Sequence, residues 1–234
     1  MTIDQFVKRL ALGASAALLA AGLAWADDNS TAPKEETAAE EKSDDAAKDA
    51  AKTEDTAVEP KYVIGDIVLG DANAPVTIIE YASYTCPHCA SFHVNTWPQL
   101  KEQYIDTGKV KFIMREVYFD KYGLWASMTA RCGGEAGFYP MTDVFLKTQR
   151  AWTAGNEQDR IAAIHQIGRR AGLSNERLSA CLGDRDYAKA LVEDYKKNAA
   201  ADDVRSTPTF LINGEKHTGD KSFDEISGLI DAAL

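Results

Sequence analysis

Apolar and polar positions change their period along the chain, and the changes mark its organisation. From Leu10 to Leu23 the residues are apolar without a period, and from 27 to 60 large apolar side chains almost vanish. Past residue 61 the pattern becomes that of a folded domain. Tyr62 to Leu69 is rich in β-branched residues and ends in Gly70-Asp71-Ala72-Asn73, which predicts a strand and a turn. Pro75 introduces Val76-Thr77-Ile78-Ile79-Glu80-Tyr81, a short apolar run suited to a buried strand, and Val110 to Val117 after Gly108 predicts another. From about 122 to 201 the period turns helical. Ile161, Ile164 and Ile167 recur at helix spacing, as do Leu178, Cys181 and Leu182 behind a Ser174 cap, and Tyr187, Leu191 and Tyr195. The chain returns to strand at Thr209 to Ile212 and turns at Asn213-Gly214. It closes with a helix whose Ser222 and Glu225 form a capping-box pair. Strand, helix, strand, helical block, strand, turn and helix describe an α/β domain over 61–234 with helices inserted in its middle.

The first two segments read as address and tether. Lys8 and Arg9 precede the apolar run, and Ala24-Trp25-Ala26 follows it as a small-x-small cleavage pattern, so 1–26 is expected to be a cleavable export signal. Its apolar run of about 15 residues is short of the roughly 20 that span a bilayer. Residues 27–60 hold twelve acids and four lysines, a net −8, and cannot bury enough apolar surface to offset their ordering entropy. The expectation there is a disordered acidic linker. It carries most of the formal charge of −10. An acidic chain without a basic stripe repels phosphate, which excludes nucleic acid as a partner.

The chemistry is concentrated in Cys86-Pro87-His88-Cys89, placed at a strand-to-helix junction. The free N–H groups and the dipole of a helix start stabilise a thiolate, so Cys86 is expected to be acidic and nucleophilic. Pro87 suits a first turn, which needs no N–H, and His88 is expected to help the thiolate with a hydrogen bond or positive charge. Cys89, one turn in, is expected to be the buried resolving thiol. A zinc site drawing on Cys86, Cys89 and His93 lacks a second ligand pair, because Cys132 and Cys181 lie far off in helical patterns. Haem attachment needs His directly after Cys89, where Ala90 stands. His93 itself, one turn after Cys89, reads as a packing residue. Ser206-Thr207-Pro208 sits just before the last strands, either as a proline tolerated at a strand start or as a cis bond that brings this loop beside Cys86.

Together these residues resemble the DsbA-like thiol–disulfide oxidoreductases of the thioredoxin superfamily. The likeness covers the chain from about 62 to its end and rests on Glu80, Cys86-Pro87-His88-Cys89 and Thr207-Pro208. It implies a thioredoxin fold with an inserted helical domain. It also implies that Cys86 exchanges with substrate, that Cys89 resolves the mixed disulfide, and that Thr207 and Pro208 bind the substrate chain. Glu80 would be the buried acid beneath the cysteines, although the residue alone also reads as a paired strand carboxylate. Cys132 and Cys181 are expected to form a structural disulfide after export, as in some relatives, or else to stay as buried thiols. The implied function is a periplasmic oxidase, a monomer without cofactor or metal. It would act on unfolded exported proteins with free thiols and be reoxidised by a membrane partner of the DsbB type. An isomerase or reductase with the same motif, or a Cu(I)-binding protein using the two thiolates, are the alternatives.

Overall fold

A computed structural model describes residues 63–234. The expected export signal and acidic linker, 1–26 and 27–60, lie outside the described residues. A five-stranded sheet carries the fold, formed by β1 (Val68–Leu69), β2 (Val76–Ala82), β3 (Val110–Glu116), β4 (Thr209–Ile212) and β5 (Glu215–Thr218) in the order β1-β3-β2-β4-β5. β2 and β3 run parallel, with Ile78 opposite Phe112 and Glu80 opposite Met114. A parallel pair needs a crossover. It is supplied by α1 (Pro87–Asn95), α2 (Trp97–Leu100) and a π-helical turn over Lys101–Ile105. β4 returns antiparallel to β2, placing Phe210 opposite Glu80. The charged β5 forms one outer edge, where such side chains discourage further pairing.

This is the thioredoxin arrangement, and its central strands read as apolar because both faces are covered. Ile78, Phe92, Leu100, Phe112, Phe210, Ile226 and Ile230 are fully buried in one core. Ile226 and Ile230 belong to the C-terminal α9 (Phe223–Ala233), whose Ser222–Glu225 capping box forms as the sequence suggests. The strand expected over Tyr62 to Leu69 is a correction. Among its described residues only Val68 and Leu69 pair, with Ile113 and Phe112, while Ile64 and Val68 face outward about half exposed. The β-branched residues there line a sheet edge and have no second partner strand. His217, which follows the hairpin turn, pairs opposite Phe210 and is half-buried.

The helical block spans α3 (Lys121–Cys132), α4 (Gly134–Lys147), α5 (Gln149–Trp152), α6 (Glu157–Arg170), α7 (Asn175–Gly183) and α8 (Arg185–Ala201). It thus occupies the chain between β3 and β4, an insertion into the sheet's connectivity. α6 approaches α3 and α7 closely at Gly168, where a Cβ would come within 2.7 Å of Leu178 Cδ2 and 3.0 Å of Thr129 Cγ2. Cys132 at the end of α3 and Cys181 in α7 are bridged as a disulfide, with Cα atoms 6.2 Å apart. Closing a loop over 49 residues stabilises by about 4 kcal/mol in the chain-entropy account. Beside it Arg131 and Glu116 form a buried ion pair, and the Arg131 guanidinium also holds the segment before β1 through the carbonyls of Val63 and Gly65. No helix among the described residues is long and apolar enough to cross a membrane.

Candidate active site

β2 ends at Ala82, and four residues later the chain begins α1 with Cys86 as its N-cap. The intervening turn is fixed from three sides. The Cys86 N–H donates to the Ser83 carbonyl at 3.1 Å. The Thr85 hydroxyl donates to Asp120, whose other oxygen caps α3 by accepting the Tyr122 and Gly123 N–H groups. From the inserted helices, the buried Gln149 amide donates to the carbonyls of both Tyr84 and Cys86, at 2.8 Å each. The helical block therefore grips the backbone on which the first cysteine sits. Sequence reasoning had no signal for Gln149, a lone amide 63 residues from Cys86.

Cys86 is only 8% exposed, and Cys89 is fully buried behind it. Both are unbridged thiols in the structure. Pro87 takes the first helical position, as its missing N–H allows. The two sulfurs are driven apart in acidity. A hydrogen bond from the Cys89 thiol, outweighing the opposing effect of burial, holds Cys86 down to about 5, helped by the Thr207 hydroxyl and the backbone N–H groups of Cys89 and His88. Burial pushes Cys89 far up, and the charges of Glu80 and Cys86 add to it. His88 acts here through its main chain. Its imidazole is exposed and makes no hydrogen bond or ion pair with Cys86, because the ring projects into solvent from the first turn.

The second loop arrives where a cis bond would bring it. Thr207–Pro208 is cis, and the Cys86 thiol lies 3.5 Å from the Thr207 carbonyl. The buried Thr207 hydroxyl has no other hydrogen-bond partner among the described residues. The Pro208 carbonyl accepts the Gly219 N–H and ties the loop to the end of β5. Cys86, Cys89, Thr207, Pro208 and the buried Glu80 thus converge at one end of the sheet, while Cys132 and Cys181 stand apart in the helical block. His93, read from sequence as packing, is instead bonded to Glu80 at 2.8 Å. Its position four residues after Cys89, hence on the same helix face, was the available signal. Among the described residues no three His, Cys, Asp or Glu side chains cluster to hold a metal.

Two outcomes are expected from this electrostatic asymmetry. Alkylation of the reduced protein at Cys86 should rise with pH around a midpoint near 5. Thr207→Val removes one donor to the thiolate and should move that midpoint upward. An unchanged midpoint would deny the hydroxyl its part. Stability should follow as well. Between about 5 and roughly 8.5, the value for an unfolded thiol, the unfolded chain binds the extra proton. The stability of the reduced form therefore rises with pH across that window and is lost as pH falls through the folded value. Above the window Cys89 works the other way, because its raised value keeps a proton the unfolded chain gives up. Denaturation of reduced and oxidised protein at pH 4 and pH 7 checks this: the advantage of the reduced form should shrink at pH 4.

Comparison with known proteins agrees with this geometry. A thioredoxin family profile, described as Thioredoxin, matches residues 62–232. A protein-disulfide oxidoreductase of Rickettsia bellii is 35% identical over 170 residues, covering 72% of this chain and 64% of its own, so the chain spans under two thirds of that relative. Disulfide bond formation protein D of Bacillus subtilis is 26% identical over 181 residues, covering 73% of this chain and 78% of its own. The crystal structure of Wolbachia pipientis alpha-DsbA1 superimposes with a TM-score of 0.67 at 29% identity, covering 73% of this chain and 92% of that one. On the profile, the sheet order, the inserted helices and the paired cysteines beside a cis-proline, the chain belongs to the DsbA-like family of the thioredoxin superfamily.

Proposed function

We propose that the protein is a thiol:disulfide oxidoreductase that introduces disulfide bonds into exported proteins through Cys86 and Cys89. The carrying observation is the placement of the two sulfurs, Cys86 at a helix N-cap against the cis Thr207–Pro208 loop and Cys89 buried one turn in, which sets their acidities apart, one near 5 and the other well above the ordinary thiol range. In the oxidised enzyme a substrate thiolate attacks Cys86 Sγ. The bond to Cys89 breaks, and Cys89 leaves with the electron pair and takes up a proton. A second substrate thiolate then attacks the substrate sulfur of the mixed disulfide and releases Cys86 as a thiolate, which at neutral pH needs no proton. A lower pKa of the leaving sulfur speeds this departure. Protonated Cys89 is a weak nucleophile, so it competes poorly for the mixed disulfide before the second substrate thiol arrives. The relatives' disulfide chemistry supports the same reading.

The export signal read over 1–26 and the bridged Cys132–Cys181 pair support an oxidising compartment, the periplasm. Exported chains with free thiols would then be the substrates, and a membrane quinone reductase of the DsbB type would take the electrons. Equilibration of the Cys86–Cys89 couple against glutathione tests the direction. A thiolate near 5 lies between those of thioredoxin and DsbA, about 7 and 3.5. The potential is therefore expected between their values of about −270 and −120 mV. A value at the thioredoxin end would assign the protein to reduction or isomerisation instead.

A further inference from the structure

Glu80 sits near the end of the central strand β2 with no exposed surface, and its neighbours across both strands cannot partner it. Met114 on β3 and Phe210 on β4 stand opposite in register, and neither carries a donor for a carboxylate. Tyr139 of α4 senses the charge of Glu80, yet its hydroxyl donates to the Ile67 carbonyl at 2.7 Å and is committed there. The one side chain bonded to Glu80 among the described residues is His93, whose Nε2 lies 2.8 Å from Oε2. His93 is 1% exposed and is itself braced by Trp97, with ring centroids 5.0 Å apart. Two buried atoms of the pair keep no partner, Glu80 Oε1 and His93 Nδ1. A buried polar atom left unmatched is costly unless it serves the chemistry. Cys89, one turn before His93 on the same face of α1, is the titratable group whose proton must move, and it feels the charge of Glu80.

We propose that His93 is a positioning residue for the exchange, donating from Nε2 to Glu80 Oε2 so that Oε1 is held free to exchange a proton with the Cys89 thiol. The inference rests on the exchange chemistry proposed above. When Cys89 attacks the mixed disulfide, its proton passes to Oε1. The Cys89–Cys86 bond forms, and the substrate sulfur leaves with the electron pair of the bond that breaks. In the oxidising direction the same oxygen returns the proton as Cys89 departs. Without the Nε2 contact neither carboxylate oxygen is anchored, because no other donor is within reach, and Oε1 loses its alignment. With the proton on Nε2, Nδ1 carries only a lone pair, so its lack of a partner strands no N–H.

Gln and Asn separate the two ring nitrogens. A Gln amide reaches the position of Nε2, and an Asn amide reaches only that of Nδ1, while both place the same buried group. The enzyme is glutathionylated at Cys86, and the release of glutathione by Cys89 is timed, alongside alkylation of Cys86 in the reduced form. His93→Gln is expected to resolve the adduct within about threefold of the unsubstituted rate. His93→Asn is expected to be slower by at least about tenfold, less than the roughly 10²–10⁴-fold of a lost general acid or base because Glu80 itself remains, with Cys86 alkylation the same in all three. Asn resolving as fast as the unsubstituted protein, or Gln as slowly as Asn, overturns the assignment. Should the variants not fold, the nitrogen-15 spectrum of His93 in the unsubstituted protein decides: Nε2 must carry a proton, and a bare Nε2 overturns the inference. An unsubstituted protein that forms no glutathione adduct at Cys86 defeats the exchange reading itself, an outcome distinct from normal adduct formation with an indifferent His93.

Discussion

Cys86→Ser is expected to abolish turnover, whereas Cys89→Ser is expected to capture substrates and hold them. A hydroxyl cannot take a place in a disulfide, so the first variant has no route to the mixed intermediate, whatever its fold. The second keeps the sulfur whose acidity matters, although part of that acidity comes from the Cys89 thiol itself. The hydroxyl that replaces this thiol can still donate toward the thiolate, so Cys86 should remain reactive near neutral pH. What the variant loses is the partner sulfur of Cys86: an adduct formed when the Cys86 thiolate attacks a substrate disulfide can no longer be cleared by Cys89, and it persists where no second substrate thiol reaches it. Peptide-oxidation assays, together with mass spectrometry of non-reduced mixtures, separate the two outcomes: no activity and no adduct for Cys86→Ser, no activity but persistent adducts for Cys89→Ser. Normal turnover by Cys86→Ser would defeat the assignment of the nucleophile.

The contrast between the two cysteines was legible in the sequence because it follows from position on one helix. A cysteine at the N-cap meets free N–H groups, and one three residues later lies inside the first turn. Sheet and insertion were legible for a similar reason, since buried strands and amphipathic helices write their periods locally. The strand over Tyr62 to Leu69 misled because β-branched residues signal an extended chain without saying whether a neighbour pairs with it. The role of His88 misled differently. Residue type suggested the imidazole, but the first turn aims the ring outward and offers the sulfur a main-chain N–H instead. Gln149 and the bond between His93 and Glu80 depend on how separate elements stack. Nothing in the local pattern around Gln149 distinguishes an amide aimed at Tyr84 and Cys86 from one aimed at water. His93 came nearer to being readable, being one turn from Cys89, but its partner is on a strand.

The most deeply buried arginine–carboxylate pair among the described residues lies away from the sulfurs, and breaking it should cost more stability than any other exchange of one side chain discussed. Arg131 Nε and its terminal nitrogen reach the two oxygens of Glu116 at 2.7 and 2.6 Å, with both side chains 4% exposed or less. Ser127 adds a further donor to Glu116, and the Phe138 ring lies against the guanidinium at 5.0 Å. Burial with the Glu116 charge also raises Tyr84 and Tyr118, so the carboxylate is felt throughout this part of the core. Arg131→Met keeps the bulk but leaves the Glu116 carboxyl buried and short of two donors, and it frees the carbonyls of Val63 and Gly65. Loss of one partner from such a pair costs about 3–5 kcal/mol, a large share of the roughly 5–15 kcal/mol that stabilises a domain. Chemical denaturation of the oxidised protein should show a loss of that order. Arg131→Met with Glu116→Leu should recover part of it, because the stranded carboxyl is gone while the two carbonyls remain unmatched. Neither charge is among the groups that hold Cys86 down, so the alkylation midpoint near 5 should survive in whatever fraction stays folded. A single substitution costing under about 1 kcal/mol, the scale of a surface pair, would mean that water replaces the guanidinium, and the pair would lose its place in the stability of the fold.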